Sequence, residues 1–157
     1  MNKLILSFNE LSSKDVNLAG GKGASLGEMT QAKIPVPNGF VVLSTTFDQF
    51  IKDADLVQEI DSILDKVQHK EIHTVESASE KIQGLIKSAV MPENIAREIK
   101  KQFKKLDAKY VAVRSSATAE DGAENAWAGQ LDSFLNIKEE NLLEKVQYCW
   151  ASLFTPR

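Results

Sequence analysis

The chain has 157 residues, 43% apolar and 26% charged, with 19 Lys and Arg against 22 Asp and Glu for a net charge of −3. That balance belongs to a soluble globular domain and excludes collagen-like and disordered compositions. Apolar runs are too short for a membrane helix, residues 1–8 carry no signal-peptide pattern, and the single cysteine, Cys149, allows neither an internal disulfide nor a CxxC metal framework, so a reducing, cytoplasmic setting is expected.

In chain order, Leu4-Ile5-Leu6-Ser7-Phe8 reads as a strand, followed by a polar turn and the cluster Gly20-Gly21-Lys22-Gly23. Residues 24–32 have a helical pattern through Leu26 and Met29. Ile34-Pro35-Val36-Pro37-Asn38-Gly39 cannot be helix, because each proline biases its predecessor to an extended conformation. Phe40-Val41-Val42-Leu43 reads as a buried strand, and Thr45 with Asp48 as a capping box opening a helix with Phe47, Phe50 and Ile51 inward. Two more helices follow from the spacing of Leu56 through Val67 and of Val75 through Ala89, and Pro92 suits the first turn of another. Tyr110-Val111-Ala112-Val113-Arg114-Ser115 is a strand entering a small-residue loop over 116–130. Phe134-Leu135-Asn136-Ile137 ends a further strand, and Leu142, Val146, Cys149, Trp150 and Leu153 mark a last helix. The strands are few and dispersed, which predicts an α+β or two-layer fold.

Charge is concentrated in the middle of the chain, where residues 47–109 hold eleven basic and twelve acidic side chains. Arg97, Lys100, Lys101, Lys104, Lys105 and Lys109 cluster there, but Ile95, Ile99, Phe103 and Leu106 give the same segment an apolar inner face. No aromatic residues interleave with the lysines and the pI is about 5.5, so a solvated helix is expected rather than a nucleic-acid surface.

Two places carry chemistry. Four of the eight glycines fall between positions 20 and 27. Glycines before a helix let backbone N–H groups approach an anion, and Lys22 adds a mobile positive charge. The alternative is a tight turn entering a helix. Neither the Walker A pattern nor the dinucleotide fingerprint fits, since Val16 and Gly23 occupy Walker positions and Leu26 stands where a third glycine belongs. The second place is Arg114, at the end of an apolar strand, with Ser115, Ser116 and Thr118 after it. A planar guanidinium there suits bidentate contact with phosphate or carboxylate, or else pairs with Glu120, Asp121 or Glu124. Those acids match no calcium-loop spacing. Gly129 allows another close backbone approach, and Trp127 is assigned to the core.

Taken together, five segments resemble the N-terminal ATP-binding region of phosphoenolpyruvate synthases, pyruvate phosphate dikinases and rifampicin phosphotransferases. They are Gly20-Gly21-Lys22-Gly23-Ala24-Ser25-Leu26-Gly27-Glu28-Met29, then Ile34-Pro35-Val36-Pro37-Asn38-Gly39-Phe40, then Val113-Arg114-Ser115-Ser116-Ala117-Thr118-Ala119-Glu120-Asp121. Ala128-Gly129-Gln130 with Phe134-Leu135-Asn136-Ile137, and Cys149-Trp150-Ala151-Ser152-Leu153-Phe154-Thr155-Pro156-Arg157, complete the series. The resemblance implies an ATP-grasp-like first subdomain, a mixed sheet packed with helices, spanning residues 1–157 as the front part of a longer multidomain enzyme. It implies ATP-phosphate contacts from Lys22 and Arg114, in catalytic as well as binding roles, and nucleotide contacts from Gly129 and Ser133. Relatives of the rifampicin type commonly carry Thr at the position of Ser133. The family usually has Leu-Pro where this chain has Gly122-Ala123.

The resemblance further implies ATP with Mg2+ as cofactors, metal ligands and a phospho-accepting His on domains outside this chain, and partners limited to ATP and those domains, with no nucleic acid or membrane. His69 and His73 match no phospho-histidine motif and read as surface residues. The expected activity is dikinase-type phosphotransfer, most like phosphoenolpyruvate synthase, with these residues alone inactive and weak in ATP binding. The alternatives are an antibiotic phosphotransferase acting on a rifamycin and a non-catalytic nucleotide-binding module.

Overall fold

The computed structural model describes residues 3–118 and 132–156. Among them the order is β1 (Ile5–Ser7), α1 (Val16–Gln31), β2 (Phe40–Val42), α2 (Ser44–Asp53), α3 (Val57–Leu64), α4 (Ile72–Ser88), α5 (Glu93–Lys105), β3 (Val111–Arg114), β4 (Ser133–Ile137) and α6 (Glu139–Ser152). This is an α+β arrangement. The expected mixed sheet is not what the described strands form: β1 pairs with β2 and β3 with β4, each pair antiparallel and separate. Strands of three to five residues offer few ladder bonds, and the four helices α2–α5 lie between the pairs in the chain.

The core forms where the helical apolar stripes meet. Phe50, Ile82, Ile86, Ile95 and Ile99 are almost fully buried, with Ile137, Leu142, Val146 and Trp150 closing over them. The Phe50 and Trp150 rings meet tilted at a centroid distance of 4.9 Å, and Phe47 sits 5.4 Å from the same indole. Thus α2 and α6 meet through rings, a contact worth about 0.5–1.5 kcal/mol per pair beyond the area it buries. Helix α6 packs on α4, α5, β3 and β4. The buried Gln147 on α6 donates to Ile86 O at 2.9 Å and Ala89 O at 2.8 Å, satisfying carbonyls at the end of α4.

Three local expectations are revised. The capping box at Thr45 and Asp48 does not form: α2 begins at Ser44 with Leu43 as its cap, and no side chain caps it. The fully buried Thr46 instead donates to Leu4 O at 2.6 Å, so the hydroxyl in this turn ties the helix start to the β1 end. Helix α1 begins before the glycine cluster rather than after it, with a break at Gly20. Pro92 stands one residue ahead of α5, as its cap. The basic segment is a solvated helix as expected, with Ile95, Ile99 and Phe103 buried and Arg97, Lys100, Lys101, Lys104 and Lys105 exposed. Lys101 pairs with Glu98 at 3.4 Å and Lys104 with Glu139 at 3.5 Å, both at the surface. No helix is long and apolar enough to cross a membrane among the described residues.

Candidate functional site

The two chemically marked segments meet. Lys22 Nζ donates to Ser115 O at 3.2 Å, across 93 residues of chain. Ser116 Oγ donates to Ala19 O at 2.7 Å and accepts from the Gly23 N–H at 3.0 Å. The Gly21 N–H donates to Ala117 O at 3.2 Å. The Arg-Ser-Ser loop therefore caps the first turn of the helix that follows Gly20.

This contact explains the glycines. Gly20 adopts φ +71°, ψ 169°, which breaks α1 into a short turn and a longer helix. A Cβ on Gly20 would lie 2.3 Å from Ser116 O, one on Gly23 2.9 Å from a Val41 methyl, and one on Gly27 2.4 Å from the Leu11 Cβ. Positions 20, 23 and 27 lie at helical spacing and, with Ala24, form a small-residue face against the Ser116 loop, β2 and Leu11. The Gly21 and Gly23 N–H groups thus serve the fold. The charged side chain of the cluster, Lys22, reaches the Ser115 carbonyl instead. The sequence signal for this packing role was the spacing of the glycines, which looks like a phosphate nest when read only as a run.

Arg114 and Ser133 are cross-strand partners at the end of the β3–β4 pair where residues 115–132 join the strands, and both are exposed. Partners in an antiparallel pair point to the same face, so their side chains address the same space. The register depends on an irregularity. Val111 pairs with Ile137, yet Val113 pairs with Phe134, so β4 carries one extra residue between them. Asn136, in that stretch, has φ +57°, a conformation that Asn tolerates better than most side chains. The bulge turns Phe134 toward the core and sets Ser133 opposite Arg114, the kind of re-aiming for which bulges are used.

The structure thus brings Lys22 onto the residue that follows Arg114 and sets Arg114 opposite Ser133. Gly129 lies outside the described residues, as do Trp127, Glu120, Asp121 and Glu124. Beneath the site is a buried polar junction that sequence reading did not mark. Ser115, on which Lys22 rests, faces Ser152 and Cys149 on α6 and Asp132 at the start of β4. Burial pushes the Cys149 thiol up to about 11, helped by the nearby Asp132 charge and opposed by the Ser115 hydrogen bond and Lys22. The thiol is therefore protonated at neutral pH and is no nucleophile.

Other features take no part. Two surface concavities among the described residues are lined by the outer side of α5 and by the β1, β2 and α5 surfaces, and neither includes Lys22, Arg114 or Ser133. His69 and His73 are exposed, His73 in the first turn of α4 beside Glu71 at 3.5 Å. Among the described residues no group of three or more His, Cys, Asp or Glu comes together to hold a metal.

Comparison with known proteins fits this arrangement. The chain is 48% identical over 162 residues to a probable phosphoenolpyruvate synthase of Methanocaldococcus jannaschii, covering 99% of this chain and 14% of that protein. It is 44% identical to the probable phosphoenolpyruvate synthase of Methanothermobacter thermautotrophicus, over all of this chain and 24% of the relative. It is 37% identical to the phosphoenolpyruvate synthase of Pyrococcus furiosus, again over 24% of the relative's length. The chain therefore spans between about a seventh and a quarter of these relatives. The family model for the pyruvate phosphate dikinase AMP/ATP-binding domain matches residues 16–157, the stretch that holds the glycine helix, the Arg-Ser-Ser loop and α6, and the chain belongs to that family.

Proposed function

We propose that this chain is the ATP-binding part of a longer dikinase-type phosphotransferase, most like phosphoenolpyruvate synthase, with ATP seated between it and a second ATP-grasp subdomain. Lys22 and Arg114 bind the phosphates, Ser133 donates its hydroxyl beside Arg114, and Gly129 lets the nucleotide approach the backbone. The observation that carries this reading is that Lys22, far away in sequence, rests on the carbonyl of the residue next to Arg114.

Phosphoryl transfer needs little covalent chemistry from the protein; it needs positioning and charge placed where the transition state develops it. The Arg114 guanidinium offers a planar fork to two oxygens, and the Lys22 ammonium a compact charge to a third. Lys22 Nζ donates to Ser115 O, which orients the ammonium beside the residue that follows Arg114. The phosphoryl group then passes to a His on another domain and from there to pyruvate. The Mg2+ that such transfer uses would be held by ligands on other parts of the enzyme, and no step is assigned to a metal site on this chain.

The experiment is turnover by the complete protein. Lys22→Ala and Arg114→Ala are each expected to lower ATP-dependent phosphotransfer at least tenfold, about the worth of one charge-assisted hydrogen bond. Undiminished turnover in both variants overturns the proposal.

A further inference from the structure

The C-terminal turn of α6 carries a buried hydroxyl that the phosphate contacts do not use. Ser152 is 2% exposed and Ser115 6%, and their oxygens lie 3.1 Å apart. Ser152 Oγ donates to Cys149 O at 2.7 Å, which uses its only proton. Its lone pairs then face Ser115 Oγ and, at a longer 3.5 Å, the Asp132 N–H. Ser115 has its own single proton for Ser152 Oγ, Cys149 O at 3.2 Å or Asp132 O at 3.4 Å. The Ser115 N–H meanwhile donates to Asp132 O at 3.2 Å, and Ser115 O accepts from Lys22.

A serine bonding back to the carbonyl three residues earlier is an ordinary helix-end device. Here the same oxygen also meets a strand end 37 residues away in sequence. Ser115 follows Arg114 directly, and Asp132 precedes Ser133. Whatever fixes the Ser115–Asp132 junction therefore fixes the backbone beneath both exposed side chains, and the carbonyl on which Lys22 rests.

We propose that Ser152 is a positioning residue for the nucleotide site, holding the Ser115–Asp132 junction from α6 so that Arg114, Ser133 and Lys22 converge on one ligand. The inference rests on the ATP-phosphate reading of that site. Ser152 touches no ligand itself. Its hydroxyl acts through the backbone in a buried setting, where an unmade hydrogen bond is costly.

The test is ATP affinity of the complete protein, by calorimetry, for Ser152→Ala in the native and Arg114→Ala backgrounds. In the native background Kd is expected to rise about three- to tenfold, the worth of one buried hydrogen bond. Adenosine affinity and the circular dichroism spectrum stay unchanged. In the Arg114→Ala background the loss shrinks, because the group being positioned is gone; general loosening of the fold would give the same loss in both backgrounds and would overturn the proposal. Ser115→Ala removes the contact from the other side and is expected to match Ser152→Ala without adding to it; it decides the matter if Ser152→Ala fails to fold. Weakened ATP binding in Arg114→Ala with none in either serine variant overturns only the role of Ser152. Unchanged ATP binding in Arg114→Ala overturns the phosphate reading on which it rests.

Discussion

Gly20 sits at φ +71° with Ser116 O so near that an added Cβ would come within 2.3 Å of it. Both the backbone conformation and the space exclude other residues, and the obstacle is backbone rather than a side chain that can swing away. Gly20→Ala is therefore expected to destabilise the protein by about 2–4 kcal/mol, from left-handed strain and from displacement of the Ser116 loop. Urea unfolding of the variant measures this; a loss below about 0.5 kcal/mol, the level of an ordinary surface change, contradicts it. At this scale Lys22 and Arg114 were legible as candidate phosphate ligands from charge, position and neighbours. The glycines' use was not, because their partners Ser116, Val41 and Leu11 lie elsewhere in the chain. Ser152 was invisible for the same reason: a serine near a helix end acquires meaning only from what it meets.

Among the elements, the β3–β4 pair determines what the site presents. Its bulge lets Val111 and Val113 stay half-buried while Arg114 and Ser133 remain partners at the exposed end. Asn136 at φ +57° supports that geometry. Asn136→Gly is expected to be nearly neutral, whereas Asn136→Val costs about 1–2 kcal/mol or more, since a β-branched side chain is poorly accommodated in the left-handed region. Urea midpoints of the two variants check this, and equal midpoints would show that the bulge does not depend on residue 136. The apolar periods that mark α2, α3, α4, α5 and α6 were legible because each buries one stripe. The pairing of the strands was not, because alternation in segments this short does not choose a partner. Nor was the true start of α1, where a helix runs through glycines that propensity counts against it.

In the whole molecule, Lys22 and Ser115 are separated by 93 residues of chain and are joined by packing. Helix α6 does most of this, through the Phe47, Phe50 and Trp150 rings on one side and the Ser115 junction on another. The net charge of −3 hides a division of labour. The many lysines of α5 are solvated or paired with surface acids, while the two cations assigned to ATP come from the sparsely charged ends of the sequence. Membership of the pyruvate phosphate dikinase AMP/ATP-binding family fits this arrangement, as does the likeness to phosphoenolpyruvate synthases several times longer.

The central claim is that Lys22 and Arg114 act together on the phosphates of ATP. The most direct measurement compares the affinities of the complete protein for ATP and for adenosine in native, Lys22→Ala and Arg114→Ala forms. Each substitution is expected to weaken ATP binding about ten- to a hundredfold, as charge-assisted hydrogen bonds of about 1.5–3 kcal/mol require, and to leave adenosine binding unchanged. Equal losses for both ligands, or none for ATP, would contradict the account.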